Sequence, residues 1–222
     1  MKKAKPTFLL FAVLLIVSLT GCDAVKSALN NTEKKITTGS FEGTTYTNDF
    51  FNLTFEIPKD WTVATNEDIK LIANVTNDML GAKNEDLSKR QALYLAYVMK
   101  YPVGTQDVFN ANINIVATNL GLAGLSRMNN SEFLQAAIDQ IDQSLANTEM
   151  TCTFGEIASK DIGGADFAVV DSATALGEME FQQRLLCTYR NNYAILVSLT
   201  WMDDSQLDEL QSIVDSMSFK KQ

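Results

Sequence analysis

The sequence predicts an α+β fold, a mostly antiparallel central sheet with helices on both faces, carried by a single domain over residues 42–222 of the 222-residue chain. Three observations lead there. Runs of period-two alternation recur along the chain and fill its last third. They are separated by turns as short as Gly163-Gly164 and Arg190-Asn191-Asn192, and turns that short join antiparallel neighbours. Three other stretches place apolar residues at helical spacing. Finally, Tyr193–Trp201 carries no charge on either face. Tyr193, Ile195, Val197, Leu199 and Trp201 share one side, and Ala194, Leu196, Ser198 and Thr200 the other, as expected of a central strand covered twice. About 180 residues suffice for one domain with a sizeable core.

The chain opens with the three-part grammar of a secretory signal over residues 1–21. Lys2, Lys3 and Lys5 form a basic start, and Phe8 to Leu19 is an apolar run of 12 residues. A membrane span needs roughly 20 apolar residues, so this run is too short to cross as a stable helix. Leu19-Thr20-Gly21-Cys22 follows and resembles the lipobox of bacterial lipoproteins. That resemblance implies a diacylglyceryl group on the Cys22 thiol, cleavage before it, and a mature chain that starts at Cys22. Two acyl chains are what stable anchoring requires, at about 0.8 kcal/mol per buried CH₂. Residues 22–41 are polar, lack a sustained apolar period and read as a flexible tether beyond lipidated Cys22.

The domain begins with the β-rich run Gly43–Thr47, a turn at Asn48-Asp49, and a strand whose Leu53, Phe55 and Ile57 share a face, closed by Pro58. These two strands form a hairpin. Thr65 caps a helix, with Asp68 completing a capping box and Leu71, Ile72, Val75 and Met79 on its apolar face. Gly81 ends that helix, and the charged Lys83–Ala92 stretch forms a second short one. Leu93–Tyr101 is a strand stopped by Pro102, and Ala111–Ala117 pairs with it. After a loop over 119–130, Asn130 or Ser131 caps a helix with the stripe Phe133, Leu134, Ala137, Ile138, Ile141 and Leu145. The strands Met150–Phe154, Glu156–Ile162, Asp166–Thr174, Met179–Tyr189 and Tyr193–Trp201 come next. A closing helix presents Leu207, Leu210, Ile213, Val214 and Met217.

Tyr46-Thr47-Asn48-Asp49-Phe50-Phe51, the alternating strand Asn52–Ile57 and Pro58-Lys59-Asp60-Trp61 together resemble the opening hairpin of PsbP-like domains. The order of elements to Phe219 is similar to that family throughout. The resemblance implies the PsbP-like sandwich and a role in binding a partner. Family members include bacterial lipoproteins, photosystem accessory proteins and a Ran-binding nuclear import factor, so it transfers no site residue.

Composition narrows function further. Removing residues 1–21 takes the formal charge from −9 to −12. An acidic chain of this kind lacks the Lys/Arg patches that phosphate backbones require, so nucleic acid is not an expected partner. With no histidine, Ser-His-Asp and Cys-His catalysis and most catalytic zinc sites are excluded. No phosphate-cradling glycine loop or nucleophile elbow occurs, and no cofactor is expected.

Cys152 and Cys187 form an even pair outside the cytoplasm. They are either an inter-strand disulfide or two buried thiols. Asp203-Asp204 offers carboxylates to a cation, but its place at a helix start favours a cap. Asp139 and Asp142 lie on one helix and read as a solvated face. Trp61 and Trp201 offer stacking surfaces but stand at the ends of apolar strand faces, which favours packing. Tyr97 and Tyr101 share strand parity, Tyr94 points opposite, and packing is again favoured.

The reading that follows is a lipid-anchored extracytoplasmic binding or accessory protein, not an enzyme. It is held to the membrane by its lipid and meets a protein partner or small ligand. The alternatives are a solute- or metal-binding lipoprotein and a cell-envelope enzyme that works without histidine.

Overall fold

The computed structural model describes residues 36–79, 92–119 and 128–219. The signal, Cys22, most of the tether, Gly81, the charged stretch up to residue 91 and most of the loop over 119–130 lie outside these residues.

Two antiparallel sheets carry the fold. The small one has the order β1 (Ser40–Glu42), β2 (Thr45–Asn48), β3 (Leu53–Glu56), β12 (Ser218–Phe219), so the last strand returns to the first hairpin. The large one has the order β4 (Thr62–Val63), β5 (Ala92–Met99), β6 (Asn112–Asn119), β11 (Tyr193–Trp201), β10 (Met179–Arg190), β9 (Ala165–Leu176), β7 (Met150–Phe154). Strand β8 (Ala158–Ile162) also pairs with β9. Every strand pair is antiparallel. The helices are α1 (Asn66–Met79), α2 (Asn130–Leu145) and α3 (Asp204–Asp215).

β11 is central and buried on both sides, as its uncharged sequence predicts. Its Ile195, Val197 and Leu199 pack in one cluster with Leu210, Ile213 and Val214 of α3 and with Leu53, Phe55 and Phe219 of the small sheet. Its Ala194 and Leu196 pack in a second cluster with the α2 stripe Phe133, Leu134, Ala137, Ile138, Ile141 and Leu145. Ile72 and Ala73 of α1 join Tyr97 and Met99 of β5 in a third. Each fully buried Val, Leu, Ile, Phe or Met side chain among them contributes about 1.5–3 kcal/mol.

Residues of the 36–41 stretch also make contacts with the domain. Ile36 and Phe41 pack against the main core, Tyr46 Oη donates to the Thr38 carbonyl at 2.7 Å, and Asn48 Nδ2 to that of Thr37 at 2.9 Å. Between those two apolar residues the attachment is made by the backbone carbonyls of Thr37 and Thr38. The helix starts are set by local hydrogen bonds. Thr65 and Asp68 form the expected reciprocal pair. The cap of α2 is Asn129, one residue before the expected position, because from there Glu132 stands at the third helical position and closes a capping box. Leu71, expected on the apolar face of α1, is 52% exposed, since Ile72 and Ala73 take the contact with the sheet. Gly163 adopts φ +59°, and a Cβ there would lie 2.2 Å from the Met217 carbonyl oxygen, so the β8–β9 turn fits against the C-terminal segment only as glycine.

Candidate functional site

The large sheet has one apolar face and one that is partly polar. On the face toward α3 the middle strands present Val98, Ile113, Ile115, Val197 and Leu199. On the other face, in cross-strand register, Tyr97 of β5 stands opposite Asn114 of β6, and Asn114 opposite Ser198 of β11. In the next row Asn112 faces Thr200, Thr200 faces Gln183 of β10, and Gln183 faces Ser172 of β9. Thr174 lies beyond Ser172 on the same face, opposite Cys152 across the β7–β9 pair. All these positions except Cys152, which is half-buried, are buried. They form a floor of neutral polar side chains between the ground held by α1 and that held by α2.

Part of this floor is internally satisfied. Thr174 Oγ1 lies 3.2 Å from Gln183 Oε1 and 3.4 Å from Cys152 Sγ, and Gln183 Nε2 donates to Thr200 Oγ1 at 3.2 Å. Asn112 Nδ2 donates to the Asn110 carbonyl at 2.9 Å. Two atoms are not satisfied. Tyr97 Oη and Asn114 Oδ1 are buried without a hydrogen-bond partner among the described residues, in side chains only 1% and 5% exposed. A buried polar group left unpaired costs about 1–3 kcal/mol, so two on directly opposed residues are a concentrated expense. Burial, and secondarily Tyr94, pushes the Tyr97 phenol well above its ordinary pKa, so it is a neutral hydroxyl able to donate. Among the described residues these floor positions offer hydroxyls and carboxamides and carry no formal charge.

The other residues singled out from sequence have structural duties. Trp61 is buried, and its Nε1 donates to Glu209 Oε2 at 2.8 Å, while Lys100 pairs with the same carboxylate, which raises the Lys100 pKa against the lowering effect of burial. Trp201 is buried, with the Arg184 guanidinium 5.8 Å from its ring centroid. Arg184 is itself held by Asp171 at 2.6 Å. Asp203 caps α3 through Gln206 N at 2.9 Å, and Asp204 lies in the first turn. Asp139 and Asp142 are exposed, and Asp139 accepts from Gln135 at 2.9 Å. Among the described residues no group of three His, Cys, Asp or Glu side chains could hold a metal.

The structure decides two points. Of the two alternatives for Cys152 and Cys187, it has the free thiols. Cys152 stands opposite Thr174 and Cys187 opposite Ala168, six residues apart along β9. That is about 20 Å at the rise of a strand, against the roughly 7 Å that a bridge tolerates. Burial raises the pKa of both thiols. The second concerns Tyr94. A β-bulge between Tyr94 and Ala96 shifts the register of β5, so Tyr94 shares the cluster of Tyr97 instead of pointing away. Tyr101 lies past the strand end, clamped by Asn110 through its backbone N and O.

Sequence reasoning passed over the floor itself. The signal was present in Asn112-Ile113-Asn114-Ile115, where asparagine alternates with isoleucine, and in the Ser198 and Thr200 face of β11. Alternation alone does not separate a buried polar face from a solvated one.

No family model matches the chain, and no curated protein does. Among solved structures, the chain is similar to cyanobacterial PsbP (CyanoP) from Synechocystis sp. PCC 6803, at 10% identity and a TM-score of 0.52, over 82% of this chain and 98% of that one. It is also similar to a Bacteroides thetaiotaomicron protein (14% identity, TM-score 0.42, 82% of this chain) and spans half of that protein's length. A third likeness is to LpqN, involved in cell envelope biogenesis of Mycobacterium tuberculosis (11% identity, TM-score 0.43, 76% of this chain and 83% of that one). The likeness to CyanoP establishes a PsbP-like fold and no more than the fold.

Proposed function

We propose that this chain is a lipid-anchored extracytoplasmic binding protein that works without catalysis and meets its ligand at the polar floor of the large sheet. The signal-like residues 1–21 and the lipobox-like Leu19-Thr20-Gly21-Cys22 support the location and the anchor. We read the domain as the PsbP-like sandwich with helices on both faces of the large sheet, α1 and α2 on the floor side and α3 on the other. The clusters built on alternate residues of β11 support that layering.

The observation that carries the functional reading is the pair of buried atoms Tyr97 Oη and Asn114 Oδ1, unpaired among the described residues and set on directly opposed residues of one sheet face. Recognition of a small solute uses a few convergent polar groups set in apolar surroundings, which is the character of this floor. It favours a small ligand over a protein partner, whose footprint would need a broad exposed surface.

The test is the melting temperature of the mature chain in detergent, with and without a low-molecular-weight extract of the cell envelope. A ligand at 100 times its Kd adds about 2.7 kcal/mol. The expected result is a raised melting temperature in the wild type and none in Asn114→Leu. An unchanged melting temperature in the wild type contradicts the reading. The anchor is tested separately: Cys22→Ala should release the protein from the membrane and abolish lipid labelling.

A further inference from the structure

We infer that the Tyr97–Asn114–Ser198 row is a subsite for an uncharged ligand bearing adjacent hydroxyl or amide groups, of the kind an N-acetylated sugar presents. This inference rests on the reading of the floor as the binding surface and names the class it takes. Tyr97 and Asn114 are direct cross-strand partners, so their Cβ atoms stand about 5 Å apart, and their backbones are about 4.8 Å apart. Yet the Tyr97 hydroxyl and the Asn114 carboxamide oxygen do not bond to each other or to anything else among the described residues. A donor and an acceptor, both buried and both unpaired among the described residues, therefore stand on directly opposed residues of neighbouring strands. A hydroxyl group, which both donates and accepts, or an amide, whose N–H and C=O sit side by side, matches that pair.

Charge excludes the other classes. The floor positions Tyr97, Asn112, Asn114, Ser172, Thr174, Gln183, Ser198 and Thr200 include no carboxylate, ammonium or guanidinium. An ion placed among them would be buried without a counter-charge, at a cost far above that of a neutral polar group. Three carboxamides, Asn112, Asn114 and Gln183, lie within two adjacent rows. Carboxamides bind neighbouring hydroxyls with one oxygen and one nitrogen at once.

The experiment is titration calorimetry on the mature full chain in detergent. The probes are N-acetylglucosamine and glucose, with glucosamine as the cationic and N-acetylneuraminate as the anionic comparator. N-acetylglucosamine should bind, the charged comparators at least tenfold more weakly, and Tyr97→Phe and Asn114→Leu should each weaken binding at least tenfold. Ser198→Ala serves as a third variant should either of these fail to fold. Preferential binding of a charged comparator overturns the inference, as does binding undiminished in the variants. If the envelope extract shifts the melting temperature of the wild type and neither neutral sugar binds, the class is wrong while the binding reading stands. If neither extract nor sugar acts, both fall.

Discussion

Tyr97→Phe removes one oxygen atom from the interior and should make the unliganded protein more stable. Tyr97 is 1% exposed, packs against Ile72 and Ala73 of α1, and its hydroxyl has no partner among the described residues. Folding strips that hydroxyl of water and returns nothing, a loss of about 1–3 kcal/mol. Deleting it removes this penalty and leaves a void of about 10–15 Å³, which at about 24 cal/mol per Å³ costs only ~0.3 kcal/mol. The net gain is about 1–2 kcal/mol. In a domain of this size each kcal/mol moves the melting temperature by about 2–4 °C, so a rise of roughly 2–8 °C is expected. Urea unfolding, followed by tryptophan fluorescence, should show a higher midpoint at unchanged slope. A fall in stability of 1 kcal/mol or more would refute the reasoning, because it would mean that the hydroxyl makes a hydrogen bond the fold needs. Stability gained together with binding lost is the pattern of a group kept for function.

Other outcomes follow from the same structure. Gly163→Ala should cost at least about 2–3 kcal/mol in urea unfolding, since it combines a left-handed backbone with a Cβ 2.2 Å from the Met217 carbonyl oxygen. Asn129→Ala should cost about 1 kcal/mol by the same assay, through loss of the Glu132 N–H bond at 3.0 Å. The Tyr46 phenol is pushed up to about 12 by burial, opposed by Asn48. Above pH 10 the unfolded phenol loses its proton while the folded one keeps it, so stability declines between pH 10 and 12, by up to about 2–3 kcal/mol from this group. Tyr46→Phe should make the stability-against-pH curve shallower in that window, at the expense of the 2.7 Å bond to Thr38.

The strand and helix pattern was legible where a single physical cause dominates. The α2 stripe and the doubly covered β11 follow directly from which residues are apolar. Reading failed where one residue of backbone changes everything after it. The bulge between Tyr94 and Ala96 reverses which face Tyr94 takes, and nothing in Leu93-Tyr94-Leu95-Ala96 announces it. It also failed where long-range pairing decides: β12 joins β3 across most of the chain, and residues 37–38 are held by side chains of Tyr46 and Asn48. The cysteine pair was left open by sequence because register along β9 fixes its separation. The floor was the largest omission. Asn112, Asn114, Gln183, Ser198 and Thr200 are each unremarkable in a strand, and only the order β6-β11-β10 brings them together.

The most direct measurement follows the side-chain amide signals of Asn112, Asn114 and Gln183 by nuclear magnetic resonance while the envelope extract is added to the mature protein. The account predicts that these signals move together while the indole signals of Trp61 and Trp201, on the far side of the large sheet, stay in place. Shifts confined to the indoles or to α3, with the three amides unmoved, would contradict it.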